Sequence, residues 1–218
     1  MIAVSSLHNM IIDRSHVVGQ FAVRMLLAVL LVWLGACHNV VLETPSSLRL
    51  SEPRSERSAV FVVDEDSRKL SFSTGGTTAG LAHRFRLEVG VSLDRYGRAY
   101  CAQAFASGSE LEVNAEILDF SIGTGAAHLV CNFRVLDGGR LLFEKKYEVS
   151  GPPRPGLPGN PLPEMVGGVA SEGSVSAIKN SLQRTLHDVL TLTLQSFFSD
   201  LQLRLNSADK QAVVAGSN

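Results

Sequence analysis

The side chains best placed for covalent chemistry are a serine and a lysine one helical turn apart. Ser176 and Lys179 have the S-x-x-K spacing, in which a lysine amine can activate a serine hydroxyl for acyl transfer. That chemistry also uses S-D-N and K-T-G elements, and neither occurs in the sequence. A serine that caps a helix and a lysine on its surface account for the same spacing. The pair therefore does not predict an enzyme.

Metal and nucleotide chemistry has no motif here either. The sequence contains no H-E-x-x-H, G-x-S-x-G, Walker or C-x-x-C arrangement. The histidines that follow residue 36 are scattered singly, at His38, His83, His128 and His187. We therefore expect no metal site, no cofactor and no catalysis.

Two of the three cysteines, Cys101 and Cys131, lie in the part of the chain that is expected to fold. In an oxidising compartment two thiols can pair, and a disulfide between them would add roughly 2–4 kcal/mol of stability. They can equally be two small buried hydrophobic residues. The spacing does not decide between a disulfide and two free thiols, so both interpretations stay open.

The third cysteine, Cys37, ends an N-terminal sorting sequence. An apolar run over residues 25–34 follows Arg24 and precedes small residues, which is the order of a signal peptide. Leu34-Gly35-Ala36-Cys37 resembles the lipobox of bacterial lipoproteins, in which the cysteine is acylated and the preceding residues are cleaved away. The resemblance implies that residues 1–36 are a lipoprotein signal peptide and that Cys37 is the lipidation site.

Acylation would make a membrane the first partner of the protein. Several acyl chains, such as palmitate, hold a protein on a bilayer far more firmly than one chain does. The residue after Cys37 is His38 rather than Asp. In enteric lipoproteins this sorting position favours the outer membrane, so we expect an outer-membrane lipoprotein on the periplasmic face.

The charge balance excludes one large class of partners. Without residues 1–36 the chain keeps 18 basic and 20 acidic residues, because only Arg14, Arg24 and Asp13 are removed. Binding to nucleic acid depends on a positive field that neutralises phosphates. A formal charge of −2 gives no such field, and we expect no nucleic-acid partner.

The first half of the mature chain mixes extended and helical signals. Residues 37–58 are polar and interrupted by prolines, which predicts a tether that can include an edge strand. A β-branched run over 59–63 predicts a buried strand. Thr77 or Thr78 can cap a helix that runs to about Tyr96. The same stretch also alternates in polarity over 83–93, so a strand there stays open.

The second half has clearer patterns. Alternating polarity predicts strands over 110–122, 128–136 and 140–150. The apolar residues change face near Ile117, which predicts a β-bulge, and Asp137-Gly138-Gly139 predicts a hairpin turn.

Six prolines make 150–173 a long loop. Beyond it, an apolar stripe predicts a helix that begins at Ser174 or Ser176 and continues to about residue 205. Residues 206–218 are expected to be a disordered tail. The whole pattern predicts one α+β domain over 59–205, with a mixed or antiparallel sheet covered by two helices, including the long C-terminal helix.

Some apolar residues fall outside the faces that the predicted core uses. On the C-terminal helix they lie off the main stripe, and in the proline-rich loop they have no periodic partner. We expect them to form a contact surface for a partner protein. These residues are Leu157, Leu162, Met165, Val166, Leu192, Phe198 and Leu205.

Four segments together resemble the ABC-type transport auxiliary lipoproteins. They are LGAC, ELEVNAEILDF, HLVCNFRVLDGGRLLFEKKYEVSG and AIKNSLQRTLHDVLTLTLQSFFSDL. The resemblance implies a non-enzymatic domain that assists an envelope transporter in moving lipids between membranes. Its partners would be envelope transporter or assembly proteins. The alternative is a lipoprotein scaffold or activator of outer-membrane assembly or of cell-wall enzymes.

Overall fold

The computed structural model describes residues 37–42, 50, 54–75, 84–158, 160 and 172–215. Over these residues the chain forms eight strands and three helices. In chain order they are β1 (Cys37–Val40), β2 (Ser58–Val63), α1 (Glu65–Lys69), β3 (Phe72–Gly75), β4 (Arg84–Leu87), α2 (Val89–Ala104), β5 (Ala106–Ser107), β6 (Leu111–Gly123), β7 (Ala126–Asp137), β8 (Arg140–Ser150) and α3 (Glu172–Ala215).

The strands form two mixed sheets. The larger has the order β5-β2-β6-β7-β8, in which β2 runs parallel to β5 and β6 while β6, β7 and β8 are successively antiparallel. The smaller has the order β1-β4-β3, with β1 parallel and β3 antiparallel to β4. Helix α2 packs against β2 and α3, and α3 packs against β7 and β8. The α+β class predicted from the sequence is confirmed, with two sheets in place of one.

The three long strands follow their sequence pattern closely. The register of β6 against β7 shifts between Ile117 and Asp119, which confirms the predicted bulge. Asp137 is the partner of Arg140 across the β7–β8 turn. Gly138 and Gly139 both have positive φ angles, of 54° and 84°, as a two-residue hairpin turn of type I′ requires.

The stretch before α2 corrects one prediction. Residues 84–87 form a strand and the helix begins only at Val89, so the helix predicted from Thr77 or Thr78 to Tyr96 is wrong over 84–87. Thr77 and Thr78 lie outside the described residues. The strand alternative for 83–93 holds over β4 and ends there. The cause is pairing on both sides, since β4 hydrogen-bonds with β1 and with β3.

An aromatic cluster joins the helices to the larger sheet. The Phe197 ring stacks on Phe133 of β7, with centroids 4.3 Å apart and planes at 15°. The neighbouring Phe198 ring stacks on Tyr100 of α2 at 5.9 Å and 9°. Phe61 of β2 lies between the two layers, with its centroid 6.4 Å from those of Phe133 and Phe198. Adjacent residues of α3 thus pack against two different elements, β7 and α2.

Helix α3 is longer than the sequence pattern indicates. It has 44 residues, about 66 Å at 1.5 Å per residue, and it ends at Ala215. Residues 206–215 are helical, so the disordered tail predicted over 206–218 is wrong for them, and 216–218 lie outside the described residues. The helix also begins at Glu172, slightly before either predicted capping serine. The helix continues for ten residues past Leu205, which is 4% exposed.

Close approach between α2 and β2 depends on Gly97. A Cβ atom placed there would lie 2.0 Å from the Phe61 ring, which is far inside van der Waals contact. We predict that Gly97→Val lowers the free energy of unfolding by about 1–3 kcal/mol, because the added side chain forces α2 away from the ring. Urea unfolding followed by circular dichroism measures this change.

Gly123→Val is the matched control, because a Cβ at Gly123 meets nothing within 4 Å. We expect this control to change stability by less than about 0.5 kcal/mol. Equal losses in the two variants would show that close packing at Gly97 is not what limits the size of this residue.

Candidate functional site

The predicted lipidation site lies at the start of a folded strand. Cys37 is the first residue of β1, and its Cα partner is Arg84 of β4. Val40 and Leu42, which follow it, are buried with 0% and 6% of their surface exposed. The Val40 carbonyl accepts a hydrogen bond from the Glu88 N–H at 3.1 Å. Residues 37–42 therefore belong to the fold.

This arrangement corrects part of the predicted tether. The first four residues of the 37–58 segment pair with β4, and burial of Val40 and Leu42 favours an ordered chain over a free linker. β1 is at the edge of its sheet, so the edge strand foreseen within the tether is confirmed. Residues 43–49 and 51–53 lie outside the described part of the chain.

Polar contacts fix the position of α3 on the sheet. The Asp200 carboxylate on α3 accepts hydrogen bonds from Tyr147 Oη at 2.7 Å and from Lys145 Nζ at 2.6 Å. Both partners come from β8. The hydrogen bond from Lys145 lowers the pKa of Asp200, and the one from Tyr147 adds to the effect. The pKa of the Tyr147 hydroxyl is raised by burial and by the neighbouring carboxylate. The hydroxyl therefore stays protonated as a donor.

Two further polar contacts lie nearer the N-terminal half of α3. His187 Nδ1 is 2.7 Å from Tyr96 Oη of α2, and burial raises the pKa of Tyr96 to about 12. Asp188 accepts a hydrogen bond from Arg154, at 2.5 Å from Nη2. Arg154 belongs to the proline-rich segment, so this ion pair ties the first part of the loop to the helix. These groups hold elements together.

The seven residues predicted as a partner surface do not form one surface. Phe198 is fully buried, Leu205 is 4% exposed and Leu157 is 3% exposed, so the prediction is wrong for these three. Phe198 lies off the apolar stripe that faces the sheet, but its side chain is buried against α2. Leu157 is buried in a segment that folds back onto the β6–β7 turn, where the Pro158 carbonyl accepts from the Gly125 N–H at 2.7 Å.

One of the seven residues is exposed on α3. Leu192 has 44% of its surface exposed, and Leu203, which the sequence pattern did not single out, has 58%. They are eleven positions apart, which is three turns, and so they share one face of the helix. Leu162, Met165 and Val166 lie outside the described residues.

Charged residues pair with one another on the outer face of the larger sheet. Arg134 of β7 pairs with Glu116 of β6 at 3.1 Å and with Glu144 of β8 at 3.5 Å. Arg57, before β2, pairs with Glu110 and with Asp137 at 2.5 and 2.8 Å. These exposed cross-strand pairs contribute little stability each, and they keep this face solvated.

The serine and lysine of the S-x-x-K spacing are both exposed on α3. Over the described ranges, no group of three or more His, Cys, Asp or Glu residues could hold a metal ion. In the same part of the chain, no helix is both long enough and apolar enough to cross a bilayer.

The structure places both inner cysteines in the core as free thiols. Cys101 is on α2 and Cys131 is on β7, and they are 3% and 0% exposed. Of the two interpretations that the sequence left open, the structure has the pair of small buried residues. Burial raises the pKa of Cys101 to about 11 and that of Cys131 to about 12.

These thiols give a direct chemical test. At pH 8 both are protonated and shielded, and a thiol reacts as its thiolate, so we predict no reaction of the folded protein with Ellman's reagent. Unfolding in guanidinium without a reductant should release two thiols per chain in a Cys37→Ser variant. Release of none under those conditions would show a disulfide instead.

Three features of this region have no strong signature in the sequence. The hydrogen bonds of Asp200 join residues more than 50 positions apart, and no local pattern encodes such a pairing. Leu203 lies between Leu201 and Leu205 in an alternating run, so the sequence alone does not show that it is the exposed one. Arg84 and Arg86 can be placed on a strand beside β1 only if the strand alternative for 83–93 is preferred to the helix.

Two solved structures are distantly similar to this chain. The chain matches no protein-family model, and no curated protein is significantly similar to it. A crystal structure of a Xanthomonas campestris protein of the family DUF330 aligns with a TM-score of 0.49 at 10% identity, over 80% of this chain and 99% of that chain. The structure of a candidate lipoprotein from Caulobacter crescentus aligns with a TM-score of 0.30 at 10% identity, over 51% and 83% of the two chains.

Proposed function

We propose that this protein is a non-catalytic lipoprotein of the bacterial envelope that serves as an accessory of an ABC-type machine for lipid transport. One observation carries the proposal: the lipobox-like sequence Leu34-Gly35-Ala36-Cys37 leads directly into a strand of the folded domain. Acylation at Cys37 would then fasten a rigid domain, rather than a loose chain, to the membrane. His38 at the sorting position supports the periplasmic face of the outer membrane as the location.

The work of such an accessory is done by binding. An anchored domain has a raised effective concentration for any partner in or near the same membrane. Its specificity comes from the contact surface that it presents. The exposed face of α3 with Leu192 and Leu203 is the surface we assign to a transporter subunit, because apolar residues at helical spacing suit packing against a partner's apolar groove.

The polar contacts of α3 support this role. Tyr147 and Asp200 hold the helix against β8, while Tyr96 and His187 hold it against α2. A helix fixed in this way presents its outer face without having to be ordered on binding. Preorganisation of this kind lowers the entropic cost of association.

Acylation is tested first. We predict that natively expressed protein starts at Cys37 and carries a thioether-linked diacylglycerol, which intact-mass analysis detects directly. A Cys37→Ser variant should lose that mass and the detergent-phase partition that accompanies it. A free sulfhydryl at Cys37 in the processed protein, or a retained 1–36 segment, contradicts the lipoprotein assignment.

The partner surface is tested by crosslinking in cells followed by affinity purification. We predict that the anchored protein recovers the permease or substrate-binding subunit of an envelope transporter, and that Leu192→Glu with Leu203→Glu reduces this recovery at least tenfold. The charged side chains would have to be desolvated in the contact. Leu118→Glu is the matched control, because Leu118 is 49% exposed on β6 instead of α3.

An unchanged recovery in the double α3 variant would contradict this surface. Recovery of outer-membrane assembly proteins or cell-wall enzymes in place of transporter subunits would favour the scaffold or activator alternative.

A further inference from the structure

Three strand ends meet beside the anchor position. β1 and β4 are parallel and in register from Cys37 opposite Arg84, so both begin at the same end of the smaller sheet. β3 is antiparallel to β4 and ends at Gly75, which is also opposite Arg84. The end of the sheet that holds Cys37 therefore also holds the start of β4.

The distance from the anchor to the fixed core is short. Val40 is fully buried and lies three positions after Cys37. Three extended residues span at most about 10 Å. The polar headgroup region of one leaflet is itself roughly 5–8 Å thick. An acylated Cys37 therefore keeps this end of the smaller sheet within reach of the headgroups.

The charge on this sheet is positive. Its three strands have the sequences CHNV, FSTG and RFRL, which contain two arginines and no Asp or Glu. Arg84 and Arg86 are exposed, whereas Phe85 and Leu87 between and after them are buried. Both arginines therefore lie on the outer face of the sheet. Arg86 shares a 2.9 Å ion pair with Glu88, and 53% of its side chain remains exposed.

We propose that Arg84 and Arg86 bind the anionic phospholipid headgroups of the bilayer that holds the anchor. This contact rests on the proposed acylation of Cys37 and adds a second attachment to it. The lipid chains hold the protein on the membrane, and the two arginines hold the smaller sheet down on the surface. The domain then has one orientation to the membrane instead of rotating about its anchor.

The proposal matches the general behaviour of basic residues near membranes. A lysine or arginine beside an anionic surface favours the bound state by about fivefold, and the effect fades within a Debye length, about 8 Å at physiological salt. Arg84 is opposite the anchor residue itself, and Arg86 is two residues along the same strand. Both arginines are thus near enough to the surface to contribute.

The test uses the full-length acylated protein reconstituted into phosphatidylcholine vesicles that contain phosphatidylglycerol, whose negative charge gives the surface the potential that attracts basic residues. A spin label is attached at Ser73→Cys, because Ser73 is exposed and is the partner of Arg86 on β3. Collision of the label with a nickel-chelating lipid reports its proximity to the headgroups. A label at Glu112→Cys, on the outer face of the larger sheet, provides the reference for a distant position.

We expect a higher collision rate at Ser73 than at Glu112, and a fall toward the reference in the variant Arg84→Gln with Arg86→Gln. Removing both charges should lower the ratio of docked to lifted domains by about 25-fold. Vesicles of phosphatidylcholine alone should give the same fall. The matched control, Arg134→Gln with Arg140→Gln, removes the same charge from exposed positions of β7 and β8 and should change nothing.

A Ser73 collision rate that is unaffected by the variant and by neutral lipid would overturn the headgroup contact. Flotation of the vesicles separates this outcome from failure of the lipoprotein assignment. Protein that floats with the vesicles but shows no dependence on the arginines is anchored without being docked. Protein that does not float is not acylated, and circular dichroism confirms that each variant is folded.

Discussion

The packing of α3 against two layers at once is the constraint on which the fold depends. Phe197 faces the larger sheet and Phe198 faces α2, so consecutive side chains of one helix are buried by different elements. The same geometry repeats along the helix, where pairs of adjacent buried residues recur every four positions. A helix with so wide an apolar face needs two neighbours to cover it. Without α2, the part of that face that the larger sheet does not cover would be exposed to water.

The close packing of α2 follows from this requirement. Its backbone reaches the Phe61 ring because residue 97 is a glycine, and this approach places Tyr100 over Phe198. The same helix begins directly after β4, so a single residue, Glu88, joins the smaller sheet to α2 along the chain. Strand β1 pairs with β4, so the position of the proposed lipidation site, Cys37, is linked to the packing of α3.

Sequence patterns identified the elements whose residues are covered on one face. The β7–β8 hairpin and the bulge near Ile117 were predictable, because alternation of polarity and turn residues are local signals. For the stretch that contains β4, the sequence predicts a helix and leaves a strand open, because four residues are too short a window to distinguish the two periods. Its identity depends on pairing with β1 and β3, which are distant in the sequence.

The residues of the candidate site also fall into two groups, those that a local sequence motif identifies and those that depend on tertiary packing. Cys37 could be proposed as a lipidation site because a lipobox is a local motif, whereas the exposure of Leu192 and the burial of Phe198 depend on where α2 lies. In the sequence, Leu192 and Phe198 look equally suited to a partner surface. Only the neighbouring helix separates them, since it covers one and leaves the other exposed.

The order of β1 and of α3 affects how much rotational freedom a partner would have to restrict on binding to the proposed anchored domain. If the domain turned freely on its lipid, each partner contact would also have to restrict that rotation, which weakens association. In the proposed arrangement the headgroup contact of Arg84 and Arg86 would limit this rotation, because burial of Val40 and Leu42 keeps the chain ordered within five residues of Cys37. The polar contacts of Asp200 and His187 remove the corresponding freedom of α3. With Cys37 as the proposed anchor, a partner that meets Leu192 and Leu203 would find them at a defined position relative to the membrane, and the surface could be small and still selective.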